Sequence, residues 1–218
     1  MQIDTALEEL SKKIPSYLMA LDGLLPDDSK VLFVRQTSLA LLKRFRERGI
    51  DVSVIDRNLN NAAIYQKHNI TAHPGDAYSQ ITKFGRESFD YIIFDNSLTT
   101  FADVQAVMTA SAIVSEHIIV IVDNLGYWKN RINFLLHGSF SRTDYTDWYT
   151  TKHLRSCCIK DFMSFCSNTN LIIERACYFD SKGMINNLYD IRKIPNLFGE
   201  KLLFITGHRD NYMSIPVL

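Results

Sequence analysis

Four short apolar runs recur along this chain, at residues 31–34 ("VLFV"), 51–56 ("DVSVID"), 89–95 ("FDYIIFD") and 117–123 ("HIIVIVD"), and each leads toward a stretch with helical spacing. Runs rich in Val, Ile and Phe read as strands; 31–34 reads as a buried strand, and 89–95 as one buried on both faces. Strands alternating with helices need right-handed crossovers, and so predict a mostly parallel sheet with helices on both faces. A shorter strand and turn fit "ITAHPGD" at 70–76. Helices are predicted over 38–48, ending at Gly49, from 57 to about 68, and over 101–114. An amphipathic helix is predicted over 4–22, where Leu7, Leu10, Ile14, Leu18 and Leu21 recur at helical spacing. "LIIERACYF" and "KLLFITGH" predict an antiparallel pair at one sheet edge, separated by an irregular stretch. The expectation is a single α/β domain over 1–218, with an N-terminal helical segment at 1–24 and a variable lid or docking region at 124–165.

A chain of 218 residues supports a sizeable core. Its 24 basic and 24 acidic residues balance, which argues against nucleic-acid binding, where a basic excess is usual. The start "MQIDTALEEL" lacks the basic and apolar blocks of a secretory signal. "IIVIV" is far shorter than the about 20 residues that span a bilayer, so no membrane partner is expected. Cys157, Cys158, Cys166 and Cys177 form no Cys-x-x-Cys pair and read as free thiols of a reducing cytoplasm. His153 and Cys157 lack the two further ligands that a zinc site needs, so no metal is expected.

Ligands of a parallel sheet of this kind bind beyond the carboxyl ends of its strands. The residues there are 35–37, Asp56, Gly75 with Asp76, Asp95 with Asn96, and Asp123 with Asn124. Asp56 stands where an acid commonly grips a ribose hydroxyl pair, or else it caps the next helix. Asp76 reads as an adenine contact or a turn residue, and Asp95 and Asn96 as ligand contacts or caps. The first loop is the exception. No glycine occurs between Gly23 and Gly49, although a backbone that closely approaches a phosphate or cofactor normally needs them.

The stretch "DNLGYWKNRINFLLHG" (123–138) brings Asn124, Tyr127, Trp128, Asn130 and Arg131 to the end of the fifth strand. "DYTDWYTTKHLRSCCIKDF" (144–162) adds Trp148, Tyr149, His153 and Arg155. Aromatics mixed with arginine are what interfaces concentrate, so a partner or substrate surface is one reading; the other is ordinary core aromatics with a solvated Arg131.

"NLGYWKNRINFLLHG", "DWYTTKHLRSCCIKDF" and "PNLFGEKLLF" resemble the methionine biosynthesis protein MetW family over roughly 31–204. The resemblance implies a Rossmann-like class I S-adenosylmethionine methyltransferase fold with about seven strands, mostly parallel. It also implies S-adenosylmethionine as cofactor, with Asp56 as the ribose acid, Asp76 at the adenine, and a homoserine O-acyltransferase as partner. The family's first loop reads Val-Leu-Asp-Leu-Gly-Cys-Gly-Asp-Gly. Here Phe33 replaces its acid, and Arg35, Thr37 and Leu39 replace its three glycines. A family histidine falls at Arg155. Arg35 sets a fixed positive charge near the place of a sulfonium. Two functions follow as expectations. One is a non-catalytic partner or regulator of an acyltransferase in methionine biosynthesis, engaged through 126–155. The other is a working methyltransferase on a small acceptor.

Overall fold

The computed structural model describes residues 14–35, 38–138, 156–189 and 194–208. The elements alternate as expected: α1 (Ser16–Asp22), β1 (Lys30–Val34), α2 (Leu39–Glu47), β2 (Asp51–Asp56), α3 (Leu59–Lys67), β3 (Thr71–Pro74), α4 (Ala77–Ile81), β4 (Phe89–Asp95), α5 (Val104–Val114) and β5 (Ser115–Asp123). Then come α6 (Trp128–His137), α7 (Ile159–Asn168), β6 (Leu171–Phe179), β7 (Ile185–Asn187), α8 (Pro195–Phe198) and β8 (Lys201–His208). The strands hydrogen-bond in the order β3-β2-β1-β4-β5-β8-β6-β7. Among the described residues there are eight strands, where about seven were expected. The extra one, β7, lies in the stretch read as irregular and pairs antiparallel with β6, Phe179 opposite Ile185. Its three residues include two asparagines, so it carries no apolar pattern, and pairing with a neighbour alone makes it a strand.

The chain clusters into two compact units. The first holds residues 1–95 and 106–119, the second 96–105 and 120–218, so β5 runs from one into the other. In the first, β2 pairs parallel with β1 and β3, and β1 parallel with β4. β1 is buried at all but its first residue, as an apolar central strand requires. Leu41, Leu42 and Phe45 of α2 are wholly buried, and the Phe45 ring stacks on Phe33 at 6.1 Å. Gly49 closes this helix at φ 83°, a conformation a side chain resists, as its predicted role as a stop demands. In the second unit β6 and β8 form the expected antiparallel pair, with Phe162 of α7 stacked on Phe204 at 4.3 Å.

The predicted helix over 4–22 needs correction. Pro15 sits outside α1 at φ −55° and ψ 143°, and the helix starts only at Ser16. Proline lacks an N–H and disfavours helical backbone before it, so Ile14 cannot join the same helix. Leu7 and Leu10 lie outside the described residues. The four cysteines are free, with Cys166 and Cys177 buried and Cys157 and Cys158 half-buried. Among the described residues no helix is long and apolar enough to cross a membrane.

Candidate functional site

The carboxyl ends of β1, β2 and β3 carry the candidate site of the first unit. Val34 is in register with Ile55, and Arg35 N–H donates to the Ile55 carbonyl at 2.8 Å, so Arg35 prolongs the ladder by one step. Its φ is 77°. That left-handed backbone suits glycine and costs an ordinary L-residue about 1–2 kcal/mol. The turn therefore has a backbone that suits glycine while carrying a guanidinium. Phe33, at the place of the family's acid, is only 1% exposed and packs into the core. Ser38 precedes α2 without a side-chain capping bond, and its buried Oγ has no hydrogen-bond partner among the described residues. Thr37 lies outside the described residues.

Asp56 ends β2 as a buried carboxylate. One oxygen accepts from Asn58 N–H at 2.9 Å; the other accepts from Asn61 Nδ2 at 2.7 Å and from the Tyr65 hydroxyl at 3.3 Å. All three donors lie at the start of α3 or on it, so the acid ties its strand to the following helix. Burial, then the Asp56 charge, pushes the Tyr65 phenol up, which keeps it a protonated donor. Asp76 caps α4, accepting from Tyr78 N–H at 3.1 Å, and its other oxygen pairs with Arg57. The Arg57 hydrogen bond is the main reason that its carboxyl titrates below the usual range. Burial and the like charge of Arg57 lower the affinity of Arg35 for its proton, against the pull of Asp76 and Asp56.

Of the remaining expected contacts, Asp95 is half-buried at the end of β4. Asn96 belongs to the second unit, has φ 50°, and donates from Nδ2 to Asp123 at 2.8 Å. The other Asp123 oxygen pairs with Lys201 at the start of β8. Asn124 is 1% exposed. Its Nδ2 donates to the Gly199 carbonyl at 2.8 Å, and its Oδ1 accepts from Gly126 N–H at 2.9 Å. The side chains of Asn124 and Tyr127 are both buried.

Trp128 remains partly exposed beside Tyr127, and Arg131 lies at the surface, its Nε held by the Gly126 carbonyl at 2.6 Å. Trp148, Tyr149, His153 and Arg155 lie outside the described residues. Helix α6 buries none of its side chains. Leu135 is 82% exposed and Leu136 70%, and with Trp128 and Ile132 they repeat at i, i+4, i+7 and i+8, an apolar stripe on one side.

Sequence reasoning missed Arg57, Asn61, Tyr65 and Lys201. Asn61 and Tyr65 are four apart on α3, so they share a face, and that spacing behind an acid was a readable signal. Lys201 meets Asp123 across 78 positions, and no local pattern announces such a pair. Among the described residues, no group of three or more His, Cys, Asp or Glu side chains could hold a metal ion.

Residues 16–206 match the sequence profile of the methionine biosynthesis protein MetW family. The chain belongs to that family. No curated protein sequence matches it. Solved structures resemble this MetW-family chain over most of its length. An S-adenosylmethionine-dependent methyltransferase from Thermotoga maritima is 14% identical with a TM-score of 0.63, covering 89% of this chain and 87% of its own. A TehB-like one from Corynebacterium glutamicum is 13% identical with a TM-score of 0.57, covering 95% of each chain. A third, from Archaeoglobus fulgidus, is 12% identical with a TM-score of 0.60, covering 87% of this chain and 91% of its own. At such identities the likeness concerns the fold: the MetW-family chain has the α/β methyltransferase fold, and S-adenosylmethionine is the cofactor to test on it.

Proposed function

We propose that this MetW-family chain is a non-catalytic, cytoplasmic member that acts as partner or regulator of an acyltransferase of the homoserine O-acyltransferase class. The observation that carries this reading is the state of the strand-end acids. Asp56 is engaged by Asn58, Asn61 and Tyr65, and Asp76 by Arg57 and the start of α4. A ribose or adenine would have to compete with these bonds for the same oxygens, and breaking a buried one costs about 1–3 kcal/mol. Arg35 adds a guanidinium at the first glycine's place, beside where a sulfonium would lie. In this arrangement the residues do not fit S-adenosylmethionine. Methyl transfer depends on holding the sulfonium methyl in line with its acceptor, and a displaced cofactor forfeits that.

The α6 stripe supports a protein partner. Exposed leucines and a tryptophan at helical spacing are what a helix offers to a groove, and an apolar surface of this kind is unusual without an occupant. Co-purification with the acyltransferase of the same cell tests the reading. Leu135→Glu with Leu136→Glu, and separately Trp128→Ala and Arg131→Ala, are expected to lose the partner. The two exposed leucines should do so with stability changed by no more than about 0.5 kcal/mol. Retention by every variant overturns the reading. So does absence of a complex with the wild type; micromolar S-adenosylmethionine binding in calorimetry would then favour a working methyltransferase on a small acceptor.

A further inference from the structure

Helix α6 of the second unit is fixed at its start by a polar knot. Asn124 donates from Nδ2 to the Gly199 carbonyl at 2.8 Å and to the Asn196 carbonyl at 3.3 Å, which ties the end of β5 to α8. Asn130 of α6 donates back to the Asn124 carbonyl at 3.1 Å, and Arg131 Nε to the Gly126 carbonyl at 2.6 Å. The turn is close-fitting, since a Cβ at Gly126 would lie 2.5 Å from Asn196 Oδ1. Yet the ten residues of the helix bury no side chain. A helix of that length is marginal in water without packing, so its apolar side gains from a cover.

Two cations border that side. At about 100° per residue, Lys129 falls beyond one edge of the stripe of Trp128, Ile132, Leu135 and Leu136, and Arg131 beyond the other. Lys129 Nζ lies 5.8 Å from the ring centres of both Tyr127 and Trp128, and Arg131 is held by its bond to Gly126. Among the described residues neither cation meets a carboxylate, and α6 has no Asp or Glu of its own. Both stand in the first turn, where the helix dipole disfavours positive charge. We infer that the occupant of the α6 stripe is an apolar groove of a partner protein with acidic residues on both rims. The leucines enter the groove, and Lys129 and Arg131 pair with its carboxylates. Such a groove presupposes the acyltransferase partner proposed above and adds the chemistry by which that partner grips the helix. A second copy of α6 would cover the leucines but bring no carboxylate. An anionic bilayer suits a helix with cations all along its polar face, whereas the lysine and arginine of α6 are confined to its first turn.

Titration calorimetry of the full chain with the purified acyltransferase of the same cell, at low and at high salt, tests the inference. The wild type is expected to bind more weakly as salt rises, because charges at the rim of an interface are screened. Lys129→Glu with Arg131→Glu should weaken the complex at least about tenfold at low salt and remove the salt dependence. Lys129→Arg keeps the charge and should keep both. Lys129→Glu alone leaves the Arg131 bond to Gly126 intact, so its loss of affinity, at least about threefold, reports charge and not a disturbed turn. A wild-type complex that both Lys129→Glu variants leave unchanged overturns the acidic groove and leaves the acyltransferase partner standing. Absence of any complex with the wild type overturns both. Self-association of the wild type in sedimentation, or its binding to phosphatidylglycerol vesicles, assigns the stripe to a second copy or to a bilayer if Leu135→Glu with Leu136→Glu abolishes it, and so overturns the inference.

Discussion

Arg35 is held at φ 77° by its N–H bond to the Ile55 carbonyl and by the parallel ladder before it. An L-residue there loses about 1–2 kcal/mol to the contact of its Cβ with the backbone. Glycine removes that strain but frees the unfolded chain, returning about 0.5–1 kcal/mol of the gain. Arg35→Gly is therefore expected to stabilise the fold by up to about 1 kcal/mol. Arg35→Ala removes the same guanidinium yet keeps the Cβ. It gains nothing from the backbone, so the order of stability should be glycine above alanine by about 1 kcal/mol. For a chain of this size that difference is about 2–4 °C in melting temperature. Urea unfolding of the three proteins, followed by circular dichroism, reads it directly. An alanine variant as stable as the glycine variant, or more so, would refute the claim that this turn is strained.

Restoring the family's acid by Phe33→Asp is expected to abolish native packing: a side chain 1% exposed and stacked on Phe45 would give way to a carboxylate, and the lost burial and cavity alone cost about 3–5 kcal/mol. A variant that kept a native near-ultraviolet spectrum would count against the core assignment of Phe33. Asp76→Asn tests the linkage of stability to pH. The Asp76 carboxyl titrates below its ordinary 3.8 in the folded chain, so its contribution is complete above that value and fades as the pH falls through the folded one. The wild type should exceed the variant by up to about 1 kcal/mol at neutral pH, since exposed ion pairs add little to a helix cap. The gap should begin to narrow as the pH falls below about 4 and vanish once the folded carboxyl is protonated, and a gap unchanged down to the acid limit of the fold would exclude the ionised carboxylate as its source.

The order of most strands and helices was legible in the chain because the central strands are rich in Val, Ile and Phe and the crossover helices have their own period. So was the loss of the glycine loop, because glycines are simply absent between Gly23 and Gly49. The family resemblance was readable as well, and the profile match over 16–206 agrees with it. What the strand-end acids do was not legible. Asp56 as a ribose contact and Asp56 as an anchor of α3 look identical in one dimension, and only the fold brings Asn61 and Tyr65 around it. Arg57 and Asp76 become a pair because parallel register sets their strand ends side by side, and β7 exists only because β6 offers it an edge. A sequence determines which residues are available and which local shape they prefer. Hydrogen-bond capacity is spent between elements far apart in the chain, so tertiary structure alone decides whether a carboxylate remains open to a ligand or is already satisfied by its own protein.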